Sequence, residues 1–360
     1  MKKLVFFPYH PDLLTLADNI GALQDCQIGG FISFKEDDAR MRALNEAAGM
    51  AGASYERLLH ECDAVVILDD YRGFIPGKYY SVIDDSLRIG REVLITPHAR
   101  AELDLEGYEG RYSLLENLPD GYEEGGKETG RSQEIRMYDI NTPIVGVLGQ
   151  GKHCGKFKNQ LLLKEVLEAE YKTAAVSTNA LGALFGCYTM PPFLYEDRPF
   201  QEKIVKYNHF VRALARIGDP EVIILGIPEG ISPFREREFH HFAEYPLIIS
   251  SAVSIDIAIL CTYFLSGTIR ESGLRGMADY CRHRFAVPVG AIAISGTHYE
   301  IPHEDYEKII YEFLSDEFIR GHCPDTGGIS FPVISPLGRD TAVSAIKSCL
   351  GQLENNVNGI

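Results

Sequence analysis

Between Pro143 and Glu170 the chain reads PIVGVLGQGKHCGKFKNQLLLKEVLEAE, and the glycines and lysines at its centre have the types and spacing to hold an anion. In a strand-to-helix turn, successive main-chain N–H groups point into one concavity and the helix N-terminus adds partial positive charge. The full pattern for such a phosphate loop is G-x-x-x-x-G-K-[ST]. Here Gly155 and Lys156 take the second glycine and the lysine. Gln150 stands at the first glycine position with Gly149 and Gly151 on either side, and Phe157 stands where the hydroxyl belongs. That hydroxyl ordinarily ligates magnesium, so the sequence keeps the cradle and lacks the usual metal handle. Gly149, Gly151 and Gly155 would shape the loop, Lys156 would meet the terminal phosphate charge and Lys152 would assist. The ligand would be ATP, GTP or another phosphorylated molecule. In the later run VIILGIPEG the strand itself carries no acid, and Glu229 just beyond the strand is the nearest replacement. A rebuilt magnesium site would draw on Asp256, Glu229 or Thr178, each of which also has a plainer role as a cap, a loop acid or a strand-end hydroxyl. A purely structural glycine turn stands beside the anion-site reading, and hydrolysis is left open.

Cys154 at a helix N-terminus among lysines invites a lowered thiol pKa and a nucleophilic role, with His153 as the one base nearby in sequence. A thiol packed under the loop is the simpler expectation. Other clusters carry less. Asp69 and Asp70 after AVVIL, the HPD turn from His10 to Asp12, and Glu229 are acids at strand ends, where ligands bind in open parallel sheets. The stretch REREFHHFAEYP brings together Arg235, Arg237, His240 and His241, but tandem histidines do not share a helix face. The small-residue run from Ser177 to Pro192 reads either as the wall of a pocket beside the central turn or as a tight buried connection.

Positioning the central turn requires a strand before it and a helix after it, and the chain supplies such alternation twice. KKLVFFPY, CQIGGFISF, ECDAVVILDDY and REVLITP read as strands separated by helices. PIVGVLG, KTAAVSTN, VIILGIP, LIISS and PVGAIAISG do the same later, and SIDIAILCTYFL fits helix or strand. The expected fold class is therefore α/β, with two three-layer domains and mainly parallel sheets, N-terminal Rossmann-like and C-terminal P-loop NTPase-like. The boundaries fall at 1–118 for the first domain, 119–141 for a glycine-rich, charged linker, and 142–360 for the second. The first strand is followed by prolines rather than G-x-G-x-x-G, which argues against NAD binding there.

Composition narrows the partners. A formal charge of -16 over 360 residues disfavours nucleic acid. The apolar run from Tyr245 to Leu265 is broken by Pro246, serines and Asp256, so no membrane span is expected. The amino-terminal MKKLVFFPYHPD is interrupted too early for a signal peptide. Eight cysteines without a CxxC pair suit a reduced, cytoplasmic protein.

The order of FFPYHPD, GVLGQGKHCGKF, VIILGIPEGI, EYPLIISSAVSIDIAILCTYF and PVGAIAIS resembles the peptide maturation system proteins of clostridia over nearly the whole chain. The second half is similar to degenerate relatives of P-loop NTPases. The first resemblance implies an accessory of peptide natural-product biosynthesis, with a precursor peptide and a radical SAM enzyme as partners. It supplies no catalytic residues. The alternative it leaves is a non-catalytic scaffold that holds the peptide or the modifying enzyme.

Overall fold

The computed structural model describes residues 1–34, 39–69, 75–120, 122, 136–232, 243–265, 269–301, 309–323, 326 and 328–357. The chain divides into two compact units. The first comprises Met1–Asn117 with Ala180–Tyr195, and the second comprises Leu118–Asn179 with Glu196–Ile360.

In the first unit, β1 (Lys2–Phe7), β2 (Cys26–Phe31), β3 (Ala64–Ile67), β4 (Glu92–Ile95) and β5 (Ser113–Leu114) form one sheet in the order β2-β1-β3-β4-β5, with every pairing parallel. Helices α1 (Asp12–Asp18), α2 (Ala39–Ala47), α3 (Tyr55–Glu61), α4 (Pro76–Arg88) and α5 (Pro97–Glu102) make the crossovers. Local chemistry sets their starts: the Ser54 side chain accepts from Arg57 N to cap α3, and Thr96 accepts from Ala99 N to cap α5. Val5, Phe7, Val65, Ile67 and Ile95 pack with Tyr79, Val82 and Ile83 of α4 in the core. The Ala180–Tyr195 segment belongs to this unit. Gln24 N donates to Leu184 O at 2.9 Å, and Asn117 exchanges bonds with Thr189 and Cys187. It is a buried, tight connection containing a short 3-10 turn at Ala180–Phe185.

The second unit is built on β6 (Ile144–Gly149), β7 (Thr173–Val176), β8 (Val222–Gly226), β9 (Ile257–Thr262), β10 (Val289–Ile294) and β13 (Val333–Ile334) in the order β13-β10-β9-β6-β8-β7, again all parallel. A separate antiparallel hairpin pairs β11 (Thr297–Glu300) with β12 (Ile310–Phe313). The strands IVGVLG, VIILG and IAILCT are buried at every position, as a parallel sheet covered on both faces requires. Helix α6 (Lys156–Glu168) lies beside α11 (Arg339–Val357). Helix α7 (Phe200–Arg216) packs on α8 (Glu244–Ala252), and α8 on α9 (Glu271–Phe285). A short α10 (Asp316–His322) follows the hairpin.

The α/β class with mainly parallel sheets is the one expected. One strand assignment is corrected: LIISS lies within helix α8, whose buried residues Tyr245, Ile248, Ile249 and Ala252 recur at helical spacing. A short apolar run cannot be told apart by period alone. The ambiguous SIDIAILCTYFL resolves as strand β9. No helix among the described residues is long and apolar enough to cross a membrane.

Candidate functional site

Strand β6 is central, with β8 on one side and β9 on the other, and the chain crosses from one side to the other between β8 and β9. That is a topological switch point, where the carboxyl ends of neighbouring strands open a crevice. The loop Gln150–Gly155 leaves β6 at this edge and enters α6.

Its turn depends on glycine. Gly155 adopts φ 80, ψ 18 as the residue preceding α6, a left-handed conformation that strains other residues, and His153 also has positive φ at 55. A Cβ on Gly149 would lie 2.4 Å from Cys154 Sγ and 2.7 Å from Lys156 Cδ. The loop carbonyls point inward. Gly149 O accepts from Ile231 N at 2.9 Å, and Gly151 O accepts from Cys154 Sγ at 3.1 Å and from Lys156 Nζ at 2.6 Å. Among the described residues, the main-chain N–H groups of Gly151, Lys152, Cys154, Gly155, Lys156 and Lys158 donate to no acceptor.

Lys156 is buried, and its ammonium also donates to Glu229 O at 2.6 Å. Glu229 adopts φ 59, and its carboxylate lies 3.6 Å from Lys152 Nζ. The structure thus brings Gly149, Gly151, Lys152, Gly155, Lys156 and Glu229 into one place. The segment after β8 is held there because Ile227 N donates to Val147 O and Ser232 N to Gln150 O.

The replacement metal ligands do not converge. Asp256 accepts from Ile144 N at 2.7 Å, at the amino end of β6, which a six-residue strand places roughly 20 Å from the loop. Thr178 stands at the end of β7, where its N–H donates to Gln160 Oε1. Phe157 is buried at 2% exposure. No group of three or more His, Cys, Asp or Glu among the described residues could hold a metal ion.

Cys154 is fully buried, and its thiol is engaged with the Gly151 carbonyl. The His153 ring packs edge-on against Tyr311 at 4.9 Å and Phe313 at 5.9 Å. Neighbouring Cys261 is held well above the ordinary thiol range, first by burial and then by Cys154, with Lys156 pulling the other way. Tyr245 is pushed upward chiefly by burial, with a smaller push from the Glu229 carboxylate.

Several residues that the sequence did not single out hold the loop. Tyr263 Oη donates to Lys152 O at 2.8 Å, and Thr297 Oγ1 donates to His153 O at 2.7 Å. Tyr263 is fixed among Tyr299 and Tyr311, and burial keeps its phenol protonated. Gly230 lets the chain after β8 lie on the loop, since a Cβ there would sit 2.5 Å from Gly151 Cα. The glycine after Glu229 was a visible signal, whereas the hairpin residues gave none. In the first unit, His10 Nδ1 accepts from Asp12 N within the HPD turn. Asp70, Arg235, Arg237, His240 and His241 lie outside the described residues.

No protein-family model matches the sequence, and no curated protein matches it significantly. Solved structures do. A DUF1611 family protein from Anabaena variabilis is similar over 96% of this chain and 99% of its own, with a TM-score of 0.59 and 14% identity, a likeness of fold. A cobyrinic acid a,c-diamide synthase from Mycobacterium smegmatis, with a bound ATP analogue and magnesium, matches 61% of this chain and 97% of its own at a TM-score of 0.34 and 14% identity. A nucleotide-binding protein from Archaeoglobus fulgidus in complex with ADP matches 60% and 88% at a TM-score of 0.30 and 14% identity.

Proposed function

We propose that the second unit binds a nucleotide, ATP or GTP, or another phosphorylated ligand on the Gln150–Gly155 loop. The observation that carries this reading is the set of main-chain amides of Gly151, Lys152, Cys154, Gly155, Lys156 and Lys158, which donate to no acceptor among the described residues, at the N-terminus of a 13-residue helix. Unpaired main-chain donors are costly unless an acceptor or water meets them, and an array converging on a helix N-terminus suits phosphate oxygens. Lys152 is 39% exposed and can swing to the ligand, while Lys156 supplies fixed charge beneath it. Phe157 offers no magnesium ligand, so the site suits binding that does not depend on metal. Where magnesium accompanies the nucleotide, the phosphates themselves would hold it.

The wider setting is a role as accessory in a peptide maturation system, in the cytoplasm, with a precursor peptide and a radical SAM enzyme as partners. It rests on the resemblance in sequence layout. The scaffold alternative draws on the same Phe157 substitution, because a loop without a metal handle suits binding better than turnover.

Calorimetric titration of the full chain with ATP, GTP and ADP, each with and without magnesium, tests the site. Binding in any of these that is lost in Lys156→Ala and weakened in Lys152→Ala supports it. Absence of binding, or binding indifferent to both variants, refutes it. Co-purification of the chain with a precursor peptide, unchanged by Lys156→Ala, would favour the scaffold reading.

A further inference from the structure

A second set of cations gathers away from the loop. Residues Arg136–Thr142, before β6, and the end of α7 enclose a groove of about 430 Å³ lined by Arg136, Tyr138, Asp139, Arg212 and Arg216. That volume falls within the roughly 300–1,000 Å³ of small-molecule sites. The Arg212 guanidinium lies 3.2 Å from the centre of the Tyr138 ring, and that of Arg136 lies 5.4 Å from it. The ring is itself fixed, because Tyr138 N donates to Asn208 Oδ1 at 2.8 Å and Asn208 Nδ2 donates to Tyr138 O at 2.9 Å. His209 meets Arg136 O through Nε2 at 2.8 Å, which ties down the segment that carries Arg136.

The guanidinium groups of Arg136, Arg212 and Arg216 form no ion pair among the described residues, although the chain holds 51 acidic residues against 35 basic ones. Arg216 has a structural explanation, since a cation in the last turn of α7 complements the helix dipole. Arg136 lies outside any helix and Arg212 a turn earlier in α7, so the dipole accounts for neither. Both guanidinium groups lie against Tyr138 and line the groove, and a guanidinium suits bidentate contact with carboxylate or phosphate.

We propose that this groove binds a small polyanion, a ligand with at least two carboxylate or phosphate groups, through Arg136, Arg212 and Arg216. It lies at the amino end of β6, the opposite end of the strand from the glycine loop, and is a site distinct from it.

The test titrates the full chain at low salt with citrate and, separately, with pyrophosphate, which distinguishes a carboxylate from a phosphate preference. The variants are Arg212→Gln, Arg136→Gln, Lys156→Ala and, as a control for overall charge, the exposed Arg282→Gln. The expected result is one site for at least one probe, weakened about tenfold by Arg212→Gln and by Arg136→Gln, the loss expected for a charge-assisted hydrogen bond. Lys156→Ala and Arg282→Gln leave it unchanged. Arg136 is exposed, so its variant reads out binding even where Arg212→Gln disturbs packing. Binding of neither probe overturns the proposal. So does binding that falls with Lys156→Ala and not with the arginine variants, or that falls equally with Arg282→Gln.

Discussion

Gly230→Ala probes the loop without touching a charged residue. A Cβ at this position would lie 2.5 Å from Gly151 Cα, 2.6 Å from Gln150 O and 2.9 Å from Gly151 N, all main-chain atoms of the loop. Ordinary contact of such atoms is near 3.5 Å, so either the loop or the segment after β8 must retreat by about 1 Å. No flexible side chain is present to absorb the clash. The retreat would strain the Ile231 N to Gly149 O bond and the Lys156 bond to Glu229 O. Overpacking of this kind costs about 1–3 kcal/mol, visible as a lowered midpoint in urea. The sharper expectation concerns binding: displaced amides no longer converge, and nucleotide affinity measured by calorimetry should fall at least tenfold. Gly146→Ala is the matched control, since its Cβ would meet Ile255 and Ala258 side chains at 3.0 and 3.2 Å, within the sheet and away from the loop. It should cost stability and spare affinity. A folded Gly230→Ala protein with unchanged nucleotide affinity would refute the reasoning, because the loop geometry would then not be what holds the ligand.

Lys156→Ala should destabilise by about 1–3 kcal/mol, because Gly151 O and Glu229 O lose a buried donor; a chemical melt reads this, and a neutral result would mean water replaces the ammonium freely. Phe157→Thr should lower stability by about 3 kcal/mol through the cavity it leaves, whatever it does to magnesium dependence. A change well below this in urea denaturation would show that the site collapses. Glu271 accepts from Ser330 Oγ at 2.6 Å and Ser330 N at 3.0 Å and faces Arg275, which together lower its pKa from 4.5 to about 2. Its folded value lies below its unfolded one, so its contribution is present above pH 4.5 and is lost as pH falls toward 2. Glu271→Gln should flatten the fall of the thermal midpoint across that window, and an unchanged slope would contradict the pairing. Cys323 is exposed while the other cysteines are buried, so a thiol reagent should label Cys323 first and reach Cys154 only on unfolding. Early labelling at Cys154, mapped by mass spectrometry, would revive a nucleophilic role.

The sequence by itself determined the alternation of strands and helices and the place of the glycine-rich loop between β6 and α6. Apolar runs such as IVGVLG and VIILG, β-branched and closed by glycine, read as strands buried on both faces. A glycine cluster between one of them and an amphipathic helix has few conformations available. Glu229 was also legible as the acid nearest that edge, because a strand end is a fixed point in a parallel sheet. Local information failed where contacts distant in sequence choose the outcome. LIISS is apolar enough for strand or helix, and packing of α8 against α7 and α9 settles it as helix. Asp256 reads equally as ligand or cap, and only the pairing of β6 with β9 shows that it caps the far end of β6. The assignment of Ala180–Tyr195 to the first unit goes with hydrogen bonds to Gln24 and Asn117, residues distant in sequence. Tyr263, Thr297 and Tyr311 reach the loop through a hairpin and a strand more than a hundred residues downstream. Short-range periodicity fixes what each segment can be, whereas burial against distant partners, a sum over the whole chain, decides which segments meet at the site.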